Sequence, residues 1–138
     1  MSRTISLSLE PAESTIKKGV PPRFQLTLRN EGRQDERVID LSNGRRRDLQ
    51  HTYYDLEVTQ EGKPVNLPRA ISDPGPVMDD DYLLLKPGAM VTFELSRFPF
   101  ELEWLPRGRY QARVRFWQNP SQSYTTSFYS PAVEVVVP

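Results

Sequence analysis

Apolar residues recur at every second position in a series of short runs along this chain. Ile5, Leu7 and Leu9 share a face between Thr4 and Leu9. Phe24, Leu26 and Leu28 do so within Arg23–Arg29, where Gln25 and Thr27 take the other face. Tyr54, Leu56 and Val58 follow within Thr52–Gln60, and Val91, Phe93 and Leu95 after that. The cleanest run is Tyr110, Ala112, Val114 and Phe116, with Arg109, Gln111, Arg113 and Arg115 between them. Val133, Val135 and Val137 close the series, in a run Thr125–Val137 that Pro131 kinks. Period-two alternation puts alternate side chains on opposite faces of a strand, so each run predicts a half-buried β-strand. Asp35–Ser42, around Val38, Ile39 and Leu41, alternates less cleanly and predicts a strand with a bulge or an ambiguous register.

Turn chemistry separates the runs: Gly19–Pro22, Asn30-Glu31-Gly32, Asn43-Gly44, Glu61-Gly62-Lys63, Lys86-Pro87-Gly88 and Asn119-Pro120. No helical period of ordinary length is visible. The expected fold is all-β, a two-sheet sandwich of seven to eight antiparallel strands with Greek-key connections, spanning 1–138 as one domain. Asn66–Asp81 is the longest stretch without strand pattern.

Composition narrows the functional classes. The 138 residues contain no cysteine, which removes disulfides and thiolate metal sites. Eighteen Lys and Arg balance eighteen Asp and Glu, so the excess positive charge of a general nucleic-acid or anionic-membrane binder is missing. The first residues alternate instead of forming a leader's apolar core, and no apolar run approaches the ~20 residues of a membrane span. A cytoplasmic home is therefore expected, with a secreted or periplasmic one as the alternative if a leader was removed.

Leu105-Pro106-Arg107-Gly108-Arg109-Tyr110 followed by Ala112 and Val114 resembles the tyrosine corner of immunoglobulin-like and fibronectin type III-like domains. Leu85-Lys86-Pro87-Gly88 before it, with Phe24–Asn30 and Leu56–Val65, is similar to bacterial intracellular proteinase inhibitors. It is similar also to the non-catalytic N-terminal domain of deuterolysin-like metallopeptidases. The resemblance implies an immunoglobulin-like sandwich and a peptidase as one concrete partner. It brings no peptidase chemistry: a zinc peptidase helix needs two histidines four apart, and the chain has one, His51.

Candidate chemistry is sparse. His51 lies near Asp48 and Asp55, but no Gly-x-Ser-x-Gly elbow accompanies it, so no catalytic residue is assigned. Asp79, Asp80 and Asp81 in extended chain point alternately to opposite sides and cannot converge on a cation, leaving an acidic loop suited to a basic partner. Arg45, Arg46 and Arg47 form a basic loop beside Gly44. Arg109, Arg113 and Arg115 form an outward stripe leading to Trp117, a pattern that suits phosphate backbones or single-stranded nucleic acid, with cross-strand pairing to Asp55 and Glu57 as its structural explanation. Trp117, Tyr124, Phe128 and Tyr129 flank the Asn119-Pro120 turn and suit either a recognition patch or a cap on the core. No cofactor motif appears.

The expected function is a non-enzymatic protein-binding or accessory module acting through end loops or an edge strand. Its partner would be another protein, with neither nucleic acid nor membrane involved. The expected contact residues are Arg45, Arg46, Arg47, Asp79, Asp80, Asp81, Arg113, Arg115, Trp117 and Tyr124. The competing expectations are a small-ligand carrier or hydrolase-associated domain with a pocket between the sheets, and a structural spacer.

Overall fold

The computed structural model describes residues 5–17, 19–20, 22–42, 53–66, 78–95, 105–117 and 127–138. Ten strands form among them. They are β1 Ile5–Pro11, β2 Phe24–Asn30, β3 Glu36–Ile39, β4 Tyr54–Gln60, β5 Lys63–Pro64, β6 Tyr82–Leu85, β7 Met90–Leu95, β8 Gly108–Trp117, β9 Ser127–Tyr129 and β10 Val133–Val137. Ten corrects the expected seven to eight. The two-residue β5 is too short to display a period, and the expected last strand is split in two by a bulge at Ser130–Ala132. Every pairing between these strands is antiparallel.

Sheet A has the order β1-β2-β7, and sheet B runs β10-β8-β4-β5 with β9 also beside β8. Alternation carries Ile5, Leu7, Leu9, Phe24, Leu26, Leu28, Phe93 and Leu95 inward from sheet A. From sheet B it carries in Tyr54, Leu56, Val58, Tyr110, Ala112, Val114, Phe116, Val135 and Val137. All of them join one hydrophobic cluster. Burying a side chain of the Val, Leu or Phe kind is worth roughly 1.5–3 kcal/mol over leaving it exposed, so this shared face is the main source of stability.

Sheet C is the pair β3-β6, with Glu36 opposite Leu85 and Ile39 opposite Tyr82. Val38 and Ile39 are adjacent in sequence, yet both are buried. At this end of β3 both faces are covered, although Arg37 before it is exposed, so the period of two is lost there for a packing reason. The buried Asn30 joins sheets A and C. Its Nδ2 donates to the carbonyls of Gln34 and Leu85, each at 2.8 Å, and its Oδ1 accepts from Gly32 N–H at 2.9 Å. Its backbone N–H donates to Ala89 O, and its carbonyl accepts from Gly88 N–H. One side chain thus satisfies the backbone where two strands leave one ladder and enter another.

Two connections need their particular residues. Glu61 and Gly62 link β4 to β5 with φ of 52° and 79°. A two-residue hairpin turn with both φ positive matches the twist of its flanking strands. Beyond β1 the chain crosses from sheet A to the edge of β10, where Thr15 and Val136 form a parallel bridge. Ile16 N–H donates to Val136 O at 2.7 Å, and Val136 N–H donates to Ser14 O at 2.9 Å.

At the entry to β8, the Tyr110 hydroxyl donates to Pro106 O at 2.6 Å, with the ring almost fully buried. Burial of a phenol is tolerable only when its hydroxyl finds such a partner. Tyr54 lies on the strand beside it in the same core, and burial pushes its phenol well above the ordinary range.

A candidate interaction face on sheet B

The outward side chains of β8 are Arg109, Gln111, Arg113, Arg115 and Trp117. The β4 register sets Glu57 opposite Arg113 and Asp55 opposite Arg115. Arg113 Nε donates to Glu57 Oε1 at 2.8 Å, and its Nη2 lies 2.7 Å from the same oxygen. Arg109 lies farther along, 3.8 Å from Glu134 and largely exposed. Cross-strand pairing therefore accounts for Arg113. It does not account for Arg115, whose Nε donates instead to Ser127 Oγ at 3.0 Å.

Aromatic rings complete the face. The Arg113 guanidinium lies 4.2 Å from the centroid of Tyr129, and that of Arg115 lies 5.6 Å from the same ring and 5.1 Å from Trp117. These separations are within the range of cation–π attraction. Tyr129 and Trp117 are each partly buried.

The bulge decides that Tyr129 is on this face. In β9, Tyr129 pairs with Arg115, whereas in β10, Val133 pairs with Ala112. One extra residue therefore sits on the β9–β10 side. Had the β10 register simply continued, Ser130 would stand opposite Arg115, and Tyr129 would point inward with Phe116. A one-residue slip exchanges the faces of every side chain beyond it. Ser130 holds the slip in place. Its N–H donates to Val114 O at 2.9 Å, and its buried hydroxyl accepts from Val114 N–H at 2.9 Å, as its carbonyl would in a regular ladder. Pro131 follows, where no N–H is available for the ladder.

The acidic triplet behaves differently from its expectation. Asp79, Asp80 and Asp81 form a 3-10 turn, not extended chain. Asp81 Oδ2 accepts from Met78 N–H at 2.7 Å and its carbonyl accepts from Asp40 N–H, so Asp81 holds the turn against the end of β3. Asp79 lies 3.3 Å from Arg37, whose guanidinium stacks 4.4 Å from the Tyr82 ring. Two of the three carboxylates thus have local structural partners. Among the described residues no group of three or more acidic or histidine side chains is placed to hold a metal ion.

Arg45, Arg46, Arg47, His51 and Tyr124 lie outside the described residues. Of the expected contact residues, the fold brings together Arg113, Arg115 and Trp117 on sheet B and sets Asp79–Asp81 apart, beside sheet C. Ser127 was not among the expected contacts, and Tyr129 was expected only as part of either a recognition patch or a cap on the core. The signal for them is Pro131 breaking the alternation before Val133, which marks a change of face without giving its direction.

A cavity lined by Ala12, Glu13, Thr15, Ile16, Val20, Pro22 and Arg23 has a volume of about 50 Å³, room for water and not for a substrate. Among the described residues no helix is long and apolar enough to cross a membrane. No protein-family model matches the chain, and no curated protein is found to be similar to it.

Proposed function

We propose that this chain is a non-enzymatic protein-binding module of the immunoglobulin-like sandwich type, and that its contact surface is the outer face of sheet B. The strand orders of sheets A and B, the crossing of the first strand's continuation to β10, and the Tyr110 corner all support the sandwich assignment. The observation that carries the contact surface is Arg113, Arg115, Trp117 and Tyr129 gathered on one solvent-facing patch. Tryptophan, tyrosine and arginine dominate binding hot spots because they offer large, stiff contact areas with polar tips. The motifs from Leu56 to Val65 and from Leu85 to Tyr110 favour a peptidase as the partner.

A second mode, strand addition, is favoured by sheet A. β7 ends that sheet, and no strand among the described residues pairs with its outer side. Met90 is 60% exposed there, and an open edge of this kind can accept an extended peptide.

The test compares the wild-type chain with Trp117→Ala/Tyr129→Ala. Partners captured by the first and lost by the second are purified, and their affinities measured directly. Equal binding of every partner to both proteins removes the sheet B face. Inhibition assays against serine, cysteine, aspartic and metallo-peptidases check the peptidase preference, which fails if no class is inhibited at micromolar concentration.

A further inference from the structure

Arg113 and Arg115 sit two positions apart on the same face and are held differently. Arg113 is closed, with Glu57 taking its Nε and Nη2 and Tyr129 covering its plane. Arg115 is held at one point only, by Ser127 at its Nε, and lies between the rings of Trp117 and Tyr129. A guanidinium carries five N–H donors, and Nε uses one. Asp55 stands opposite in register, yet among the described residues no carboxylate lies within ion-pair distance of Arg115. Its terminal nitrogens therefore keep their donor capacity. The bond to Ser127 and the two rings limit the side chain's rotamers, so less freedom is lost when a ligand docks.

The form of that capacity selects a ligand. With Nε occupied, the two terminal nitrogens leave an end-on fork, which matches the two oxygens of a carboxylate. A phosphate would match in shape but carries nearly two charges. Asp55 and Glu57 line the β4 side of this face and would repel the second. The neighbouring rings are apolar in body, and they offer surface to an apolar residue beside the acid. Resting on the assignment of this face as the contact surface, we propose that Arg115 is a carboxylate receptor. It takes a glutamate or aspartate side chain of a partner segment end-on, with the adjoining apolar residue of that segment against Tyr129 and Trp117.

The test uses four short peptides, leucine-flanked and acetylated, on the folded chain. One carries a central glutamate and an amidated end, and the second has glutamine in its place. The third is the glutamine peptide with a free C-terminal carboxylate, and the fourth carries phosphoserine. The readout is the side-chain Nε–Hε resonance of Arg115 by nitrogen-15 NMR, with affinity from the same titration. The glutamate peptide is expected to move that resonance and to bind about tenfold more tightly than the glutamine peptide. Arg115→Lys, which keeps the charge and loses the fork, is expected to lose about tenfold, with folding checked by circular dichroism. Arg109→Lys is expected to change nothing.

Equal binding of the glutamate and glutamine peptides overturns the proposal, as does an unmoved resonance at millimolar glutamate peptide, or wild-type affinity in Arg115→Lys. Tighter binding of the free C-terminus or of phosphoserine overturns the choice of a side-chain carboxylate. A protein partner that requires Tyr129 and Trp117 but not Arg115 leaves the contact surface standing and removes only the carboxylate.

Discussion

The outer faces of sheets A and B are built on the same alternation and carry opposite chemistry. Across the middle of sheet A, register aligns Ser8, Thr27 and Thr92, and the two threonine hydroxyls share a hydrogen bond of 2.8 Å. Longer charged side chains stand toward the ends of that face, at 3.9 Å for Arg23–Glu94 and 3.7 Å for Arg29–Glu31. Sheet B instead carries long cationic and aromatic side chains at its β8–β9 end, arranged in contact with one another. The inner faces are interchangeable in kind, aliphatic and aromatic on both sheets. Strand formation therefore accounts for the inner residues of both sheets and for the short hydroxyl side chains of sheet A. Cross-strand pairing with Glu57 adds Arg113 to that account, but not Arg115 beside the rings of Trp117 and Tyr129, which is why that end of sheet B is the better candidate for function.

The equivalence of the inner faces can be broken most forcefully at their phenylalanines. Phe93→Ala in sheet A and Phe116→Ala in sheet B should each cost about 3–5 kcal/mol, by lost burial and the cavity left behind. Urea denaturation checks both, and a gap of more than about 2 kcal/mol between them would show that one sheet dominates the core.

Asn30 comes next, because it serves sheet A and sheet C together. Asn30→Ala removes three side-chain hydrogen bonds and should cost about 2–4 kcal/mol. A loss below about 1 kcal/mol would mean that water replaces the amide freely.

Tyr110→Phe sharpens the contrast within β8, since it alters an inner residue without changing its volume. It should cost about 1–3 kcal/mol as Pro106 O loses its donor, and unchanged thermal stability would remove the corner as a stabilising feature.

The smallest effects belong to the outer faces. Thr27→Val on sheet A should move stability by no more than about 0.5 kcal/mol. The Arg113–Glu57 coupling on sheet B, measured by a double-mutant cycle, should stay under about 1 kcal/mol, because both side chains are partly exposed. Binding separates what stability does not: the sheet B substitutions should weaken partner affinity, and Thr27→Val should leave it alone.

Much of the strand content was legible in the chain. Alternation alone locates Phe24, Leu26 and Leu28 in β2 and Tyr110 to Phe116 in β8, because one face is buried and the other is wet. It fails at Val38 and Ile39, where both faces are covered and the period disappears. Asn30 reads as turn chemistry whether it is solvated or buried, and only the arrival of Leu85 from a distant strand makes it a hub. Arg113, Arg115 and Trp117 were legible as an outward stripe. Tyr129 was visible as an aromatic near a turn, but its face depends on one unpaired residue near Pro131. Asp79–Asp81 misled because a run of acids in extended chain and the same run in a 3-10 turn look identical in sequence.

The bridge between Thr15 and Val136 has a consequence in time. Ser14 and Ile16 meet Val136 across nearly the whole length of the described chain, so closing that contact costs more loop entropy than joining a local hairpin such as β4–β5. Contacts of such long range are seldom nucleating ones, and the edge of β10 is expected to stay open until sheets A and B have already met. During that interval β10 is an unprotected strand edge, and the few residues that follow β1 are what finally cover it.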